Sequence, residues 1–209
     1  MLDLILGSHE PLTSTLTSLC LLLAQNPSVL AKAHVEQQQW SREEPLTIEH
    51  LDQMHYLDQI VKEVLRVMPP TSLGSIRKVI QTCSFNGWQI PQGWLVVHRI
   101  GLMHQDGNIG TEPKQFNPER FSPENKIQPF NFLPFGGGAR ECPGKNLSML
   151  TMKLFAALLI REYRWELLPE QDLGLVMFPF SHPRDGLKVN FYPAFCTLEA
   201  SIAGDTMRH

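Results

Sequence analysis

The stretch "FLPFGGGARECPGKNLSML", Phe132 to Leu150, sets three consecutive glycines and Arg140 ahead of a single cysteine, with a helical pattern behind it. Gly136, Gly137 and Gly138 let the backbone approach something flat or bulky without side-chain obstruction. Cys142 then stands just before a helix N-terminus, where unpaired N–H groups and the positive end of the helix dipole favour a thiolate. Pro143 suits the first helical turn, which needs no N–H donor. Arg140 adds positive charge and a fork matched to a carboxylate. A thiolate so placed is a nucleophile or a metal ligand; the alternative is a structural cysteine in a glycine loop.

Working outward, Lys145 to Glu162 reads as a long helix, and three strand-like segments follow it: "YRWELL", "LGLVMF" and "LKVNFY". Upstream, His104 to Pro134 is rich in loop signals and holds five of the sixteen prolines, which points to an ordered functional loop. Before it, "SIRKVI", "CSFNGWQI" and "GWLVVHRI" read as short strands punctuated by Asn86-Gly87 and by Pro91-Gln92-Gly93. The N-terminal third is helical. Leu2, Leu4, Ile5, Leu12, Leu16, Leu19 and Leu23 share a broad apolar face. Asn26 and Pro27 fit an N-cap and first turn of a helix to about Trp40, and Thr47 caps a short helix. "HYLDQIVKEVLRVM" forms another helix, stopped by Pro69-Pro70. The sum is an α+β fold, mainly helical, with small β-sheets.

Composition bounds the function classes. With 209 residues, 43% of them hydrophobic and 19% charged, the chain supports one sizeable core. A formal charge of -3 gives no sign of a nucleic-acid partner. Apolar runs such as "LCLLLA" and "FAALLI" are far shorter than the ~18 residues of a membrane span. The start "MLDLILGSHEPL" lacks the basic region of a signal peptide. Cytoplasm, or the cytoplasmic face of a membrane, is the default expectation. Cys20, Cys83, Cys142 and Cys196 are scattered without a CxxC pair, which argues against a disulfide framework or a zinc site.

Phe135, Gly138, Arg140, Cys142 and Gly144 fit F-x-x-G-x-R-x-C-x-G, and in this the chain resembles the cytochrome P-450 superfamily at its heme-ligand loop. Further matches fall in family order. "KEVLR" puts Glu63 and Arg66 on one helical face, and "NPERF" supplies Arg120. The resemblance implies that these three form a buried triad that serves as scaffold. It makes Cys142 the iron ligand of heme b. Arg77 and Arg140 become partners of the heme propionates. It covers Met1 to about Pro193, which is roughly the C-terminal half of a full member, so the chain is expected to be a fragment: residues 1–196 a partial domain and 197–209 a polar tail.

One segment departs from the pattern. The first helix resembles the helix that crosses above the heme, where the family carries an acid followed by threonine. Glu10 keeps the acid and is the implied catalytic residue, in the proton path. Pro11 stands where the threonine hydroxyl would be, and Ser8 replaces a glycine. Proline also lacks an N–H and crowds the carbonyl of Gly7. Thr13, two positions on, is about 200° around the helix and does not substitute.

The implied activity is a heme-thiolate monooxygenase inserting one oxygen atom from O2 into a small apolar substrate. Electrons would come from a ferredoxin or a flavoprotein reductase. His9-Glu10 and Leu12-Thr13-Ser14, on either side of Pro11, resemble the branch of retinoid hydroxylases and their bacterial relatives, which suggests an elongated retinoid- or sterol-like molecule. Leu73, Gly74 and Phe178 are the implied substrate-lining residues. The missing hydroxyl at Pro11 gives weight to a heme-thiolate isomerase or dehydratase as an alternative, and a non-catalytic remnant is the third reading.

Overall fold

The computed structural model describes residues 2–106, 109–128, 130–177 and 179–194. Four helices supply the packing. α1 (Leu2–Gln25), α2 (Pro27–Gln37), α4 (His55–Val67) and α6 (Lys145–Glu162) meet around one apolar core, with the short α3 (Ile48–Gln53) against α6. α4 is the most strongly two-sided of them. Leu57, Ile60, Val61 and Val64 are fully buried on its inner face, each worth roughly 1.5–3 kcal/mol of burial. α6 answers with Met152, Ala156 and Ile160, and α1 with Leu19 and Leu23.

The helix ends are satisfied in ways only partly readable beforehand. Thr47 caps α3 through a reciprocal pair, its hydroxyl accepting from the His50 N–H while His50 Nδ1 accepts from the Thr47 N–H. Asn26 stands at the expected cap position of α2, yet its side chain turns back and donates to the Leu22 carbonyl at 2.7 Å, closing α1 instead. α2 ends at Gln37, short of Trp40. The first N–H groups of α4 are capped from another helix: Glu36 of α2 accepts from the Tyr56 and Leu57 N–H groups at 2.6 and 2.9 Å. Burial pushes the Glu36 carboxyl up, and those two N–H donors oppose the shift.

Among the described residues the strands pair as four separate two-stranded units. β1 (Arg77–Lys78) pairs antiparallel with β4 (Leu95–Val96), and β2 (Cys83–Phe85) with β3 (Trp88–Ile90). β5 (Tyr163–Leu167) pairs with β8 (Val189–Pro193), and β6 (Leu175–Val176) with β7 (His182–Pro183). Asn86 and Gly87 turn the β2–β3 hairpin with φ of 47° and 81°, the positive values that the Asn-Gly signal implies. The segment read as one strand to Ile100 is shorter than expected. Its pairing stops after Val96, and Ile100 opens a helix of its own, α5 (Ile100–Gln105), because Ile100 and His104 find buried sites a strand could not reach. Trp165 joins β5 to the helices; it is buried and its indole N–H donates to the Cys20 carbonyl at 3.0 Å.

Leu57→Ala opens a void at a site with no exposure and is expected to lower the unfolding free energy by about 3 kcal/mol. A fall in the urea midpoint at unchanged denaturant slope checks it.

Candidate heme site

The cysteine loop is built from short backbone bonds. The Cys142 N–H donates to the Phe135 carbonyl at 3.0 Å, and the Gly136 N–H to the Leu133 carbonyl at 3.0 Å. Gly136 has φ of 72° and open space where a side chain would start, so a planar group can lie close there. Gly138 opens a 3-10 turn, Gly138–Arg140, also at positive φ, and neither it nor Gly144 lines the cavity. The helix starts later than Pro143 suggests. Gly144 is the N-cap of α6, so Cys142 lies two residues outside it, with its carbonyl accepting from the Lys145 N–H at 3.3 Å. The Cys142 side chain is exposed and free.

In front of Cys142 is a cavity of about 570 Å³. Its walls come from the cysteine loop, α1, the segment after α4 and the β1–β4 region. Cys142, Phe135, Arg140, Arg77, Leu73 and Gly74 all line it. Phe178 lies outside the described residues. The ionisable side chains on the wall other than Cys142 are Arg77, Arg140 and His98. Among the described residues, no aspartate or glutamate lines it, and those three basic side chains have no hydrogen-bond or ion-pair partner. A soft sulfur ligand, a glycine floor and surplus cations form a donor set that suits an iron porphyrin with two carboxylates. Heme fits these residues.

Glu10 is not brought to this cavity. The wall of α1 runs through Gly7, Ser8, Pro11, Leu12 and Thr15, and Glu10 sits about 100° around the helix from Pro11. It is exposed and lies 3.5 Å from His9 Nδ1. Pro11 itself lies within α1, which runs on through it. The hydroxyls on that wall point inward: Ser8 donates to the Ile5 carbonyl and Thr15 to the Pro11 carbonyl, at 3.0 and 2.9 Å. Thr13 donates to the His9 carbonyl, away from the cavity.

Glu63, Arg66 and Arg120 meet in the interior. Arg66 binds the Glu63 carboxylate with both Nε and Nη2, at 2.6 and 2.7 Å, and both residues are fully buried. Arg120 Nε lies 3.5 Å from the same carboxylate. The remaining donors satisfy backbone carbonyls of the proline-rich loop. Arg66 reaches those of His104, Pro113 and Gln115, while Arg120 reaches those of Ile109, Thr111 and Glu112. Removing Glu63 would leave two buried guanidinium groups without their counter-ion, at a cost of about 3–5 kcal/mol. Sequence reasoning missed His104. It is fully buried, its Nε2 accepts from the Leu133 N–H at 3.0 Å, and its ring stacks obliquely on Phe132 at 5.1 Å.

A family model for "Cytochrome P450" matches residues 1–191. The chain belongs to the cytochrome P-450 family. A cytochrome P-450 120 from Synechocystis is 44% identical over 92% of this chain and 44% of its own length. Cytochrome P-450 26B1 of Xenopus tropicalis is 37% identical over 91% of this chain and 39% of its own length. The solved structure "Retinoic acid bound cyanobacterial CYP120A1" superposes with a TM-score of 0.87 at 44% identity, covering 92% of this chain and 45% of that one. The chain thus spans less than half the length of these relatives. It is a cytochrome P-450 of the group related to retinoid hydroxylases and their bacterial relatives, and heme b is the cofactor of its family.

Burial, then the nearby Arg66 charge, pushes His104 down to about 4 from an ordinary 6.5. Between those values the unfolded chain binds a proton that the folded chain does not, so stability falls as pH drops. The expected loss from His104 is about 2 kcal/mol between pH 7 and pH 4.5. Urea unfolding at the two pH values should show it, and His104→Asn should remove that part of the slope while lowering stability throughout.

Proposed function

We propose that this chain supplies the heme-ligating portion of a monooxygenase acting on an elongated apolar molecule of the retinoid kind. The observation that carries the reading is Cys142, exposed on a glycine floor and facing a cavity whose unpaired ionic groups are all basic. Cys142 would hold heme through its sulfur, Arg77 and Arg140 would receive its propionates, and Phe135 and Gly136 would lie against its plane. Gly138 and Gly144 would shape the loop and the start of α6. So held, heme supplies the chemistry that splits dioxygen and transfers one oxygen atom to a C–H bond. Leu73 and Gly74 would orient the substrate, and Leu12 would exclude water beside it. Glu10 lies off that wall. The retinoid class rests on the relatives, of which one is described with retinoic acid bound.

The electron donor would be a ferredoxin or a flavoprotein reductase in the cytoplasm or at the cytoplasmic face of a membrane, a reducing setting in which Cys142 is kept out of disulfides and available to a metal. No helix of the described residues is long and apolar enough to cross a membrane. Pro11 supports a second reading. It lines the cavity where a hydroxyl would be expected and offers neither O–H nor N–H, which suits rearrangement of a peroxide without oxygen activation.

Reconstituted with hemin, reduced and exposed to carbon monoxide, the chain is expected to show the red-shifted Soret band of thiolate ligation. Cys142→Ser should abolish that band while leaving the circular-dichroism spectrum of the protein unchanged. An unshifted band in the unaltered chain overturns the heme-thiolate reading. In the reconstituted protein, Pro11→Thr should raise product formed per electron consumed when oxygen is the oxidant. An unchanged ratio, with turnover on hydroperoxide alone, decides for the second reading.

A further inference from the structure

The basic side chains around the cavity outnumber the carboxylates of a heme. Arg77 and Arg140 answer two, and His98 remains. Its place is set beyond the end of the strands. Arg77 pairs with Val96, and past that pair the Gly74 N–H donates to the His98 carbonyl at 2.9 Å, one residue out of the strand register. His98 and Arg77 line the same cavity. Gly74 makes the room. A Cβ built on Gly74 would lie 1.8 Å from His98 Cε1 and 2.3 Å from both ring nitrogens, so the ring occupies the volume a side chain would take.

The ring is exposed to the cavity, donates or accepts no hydrogen bond among the described residues, and faces no acid on the wall. Packing alone gives no reason for it. A phenyl or alkyl group would cover Gly74 equally well, whereas an imidazole brings an N–H donor to a wall that already carries two guanidinium groups. We propose that His98, seated on Gly74, is a carboxylate-binding residue of this cavity, completing with Arg77 a two-donor site at the β1–β4 edge. The inference rests on the heme reading in one respect: the carboxylate is either a porphyrin propionate or the acid group of the apolar substrate.

Two pairs of probes separate the sources. Hemin and hemin dimethyl ester differ only in whether the propionates are ionised. Retinoic acid and retinol differ only at the terminal group. Binding of all four to the unaltered chain, His98→Ala and His98→Gln is measured by titration, with circular dichroism as the check on folding. If the propionate is the ligand, His98→Ala weakens hemin about 5- to 10-fold and leaves the ester unchanged, in line with the loss of one charge-assisted bond. His98→Gln, which keeps an N–H donor, recovers part of the loss. If the substrate acid is the ligand, hemin is unaffected and the preference for retinoic acid over retinol disappears.

Gly74→Ala displaces the ring without deleting it and is expected to reproduce either pattern, with the double variant no worse than His98→Ala. Equal losses for acid and neutral probes, or no loss for any of the four, overturn the proposal. Should the unaltered chain fail to bind hemin with a thiolate spectrum, the heme reading falls. His98 is then judged on retinoic acid and retinol alone.

Discussion

The Glu63 carboxylate is the point from which the rest of the structure is held. It takes two hydrogen bonds from Arg66 in the buried interior and a third from the Asn117 N–H at 2.9 Å, with the Arg120 guanidinium 3.5 Å away. With its charge balanced, the outward donors of Arg66 and Arg120 are free to satisfy five backbone carbonyls of one long loop and that of His104 at the end of α5. That loop has little regular structure with which to satisfy them itself. The chain of bonds continues toward the cysteine. Arg66 binds the His104 carbonyl, the His104 ring receives the Leu133 N–H, and two residues on Phe135 accepts from Cys142. A charge pair on α4 thus sets where a thiol on the far side of the loop is presented.

What the sequence made legible follows the range of the forces involved. The glycine loop, the helix after it and the Asn-Gly turn are decided within about ten residues, and each lies where the pattern puts it. The meeting of Glu63 with Arg66 follows from a spacing of three on one helix. Arg120 was legible only through the family resemblance, because it reaches across 57 positions to a partner that no local pattern names. The capping of α4 by Glu36, the burial of His104 and the seat of His98 on Gly74 all depend on long-range neighbours. Asn26 shows the limit from the other side. Its type and place are those of a cap, but the Leu22 carbonyl competes for the side chain and wins.

The helices and the strands stand on different footings. Nearly all the fully buried apolar side chains are helical, while β1, β2 and β4 are exposed throughout, and in the β2–β3 hairpin Phe85 and Trp88 stand at 66% and 77%. A hairpin with no buried face has no hydrophobic pattern to lock its register. Here the register Phe85↔Trp88 is fixed by the turn between them, so the hairpin is defined locally and the helical core need not specify it.

Pro11 has an effect wider than the hydroxyl it displaces. It gives no N–H to the Gly7 carbonyl, and the Ser8 and Thr15 protons are already spent on carbonyls within α1. Gly7, Ser8, Pro11 and Thr15 all belong to the same cavity wall. That wall therefore offers lone pairs without protons, in a cavity whose basic donors come from the β1–β4 region and the cysteine loop. A molecule entering between them meets a polarity gradient: its acidic end is drawn to one side, and any hydroxyl it carries is turned toward the helix.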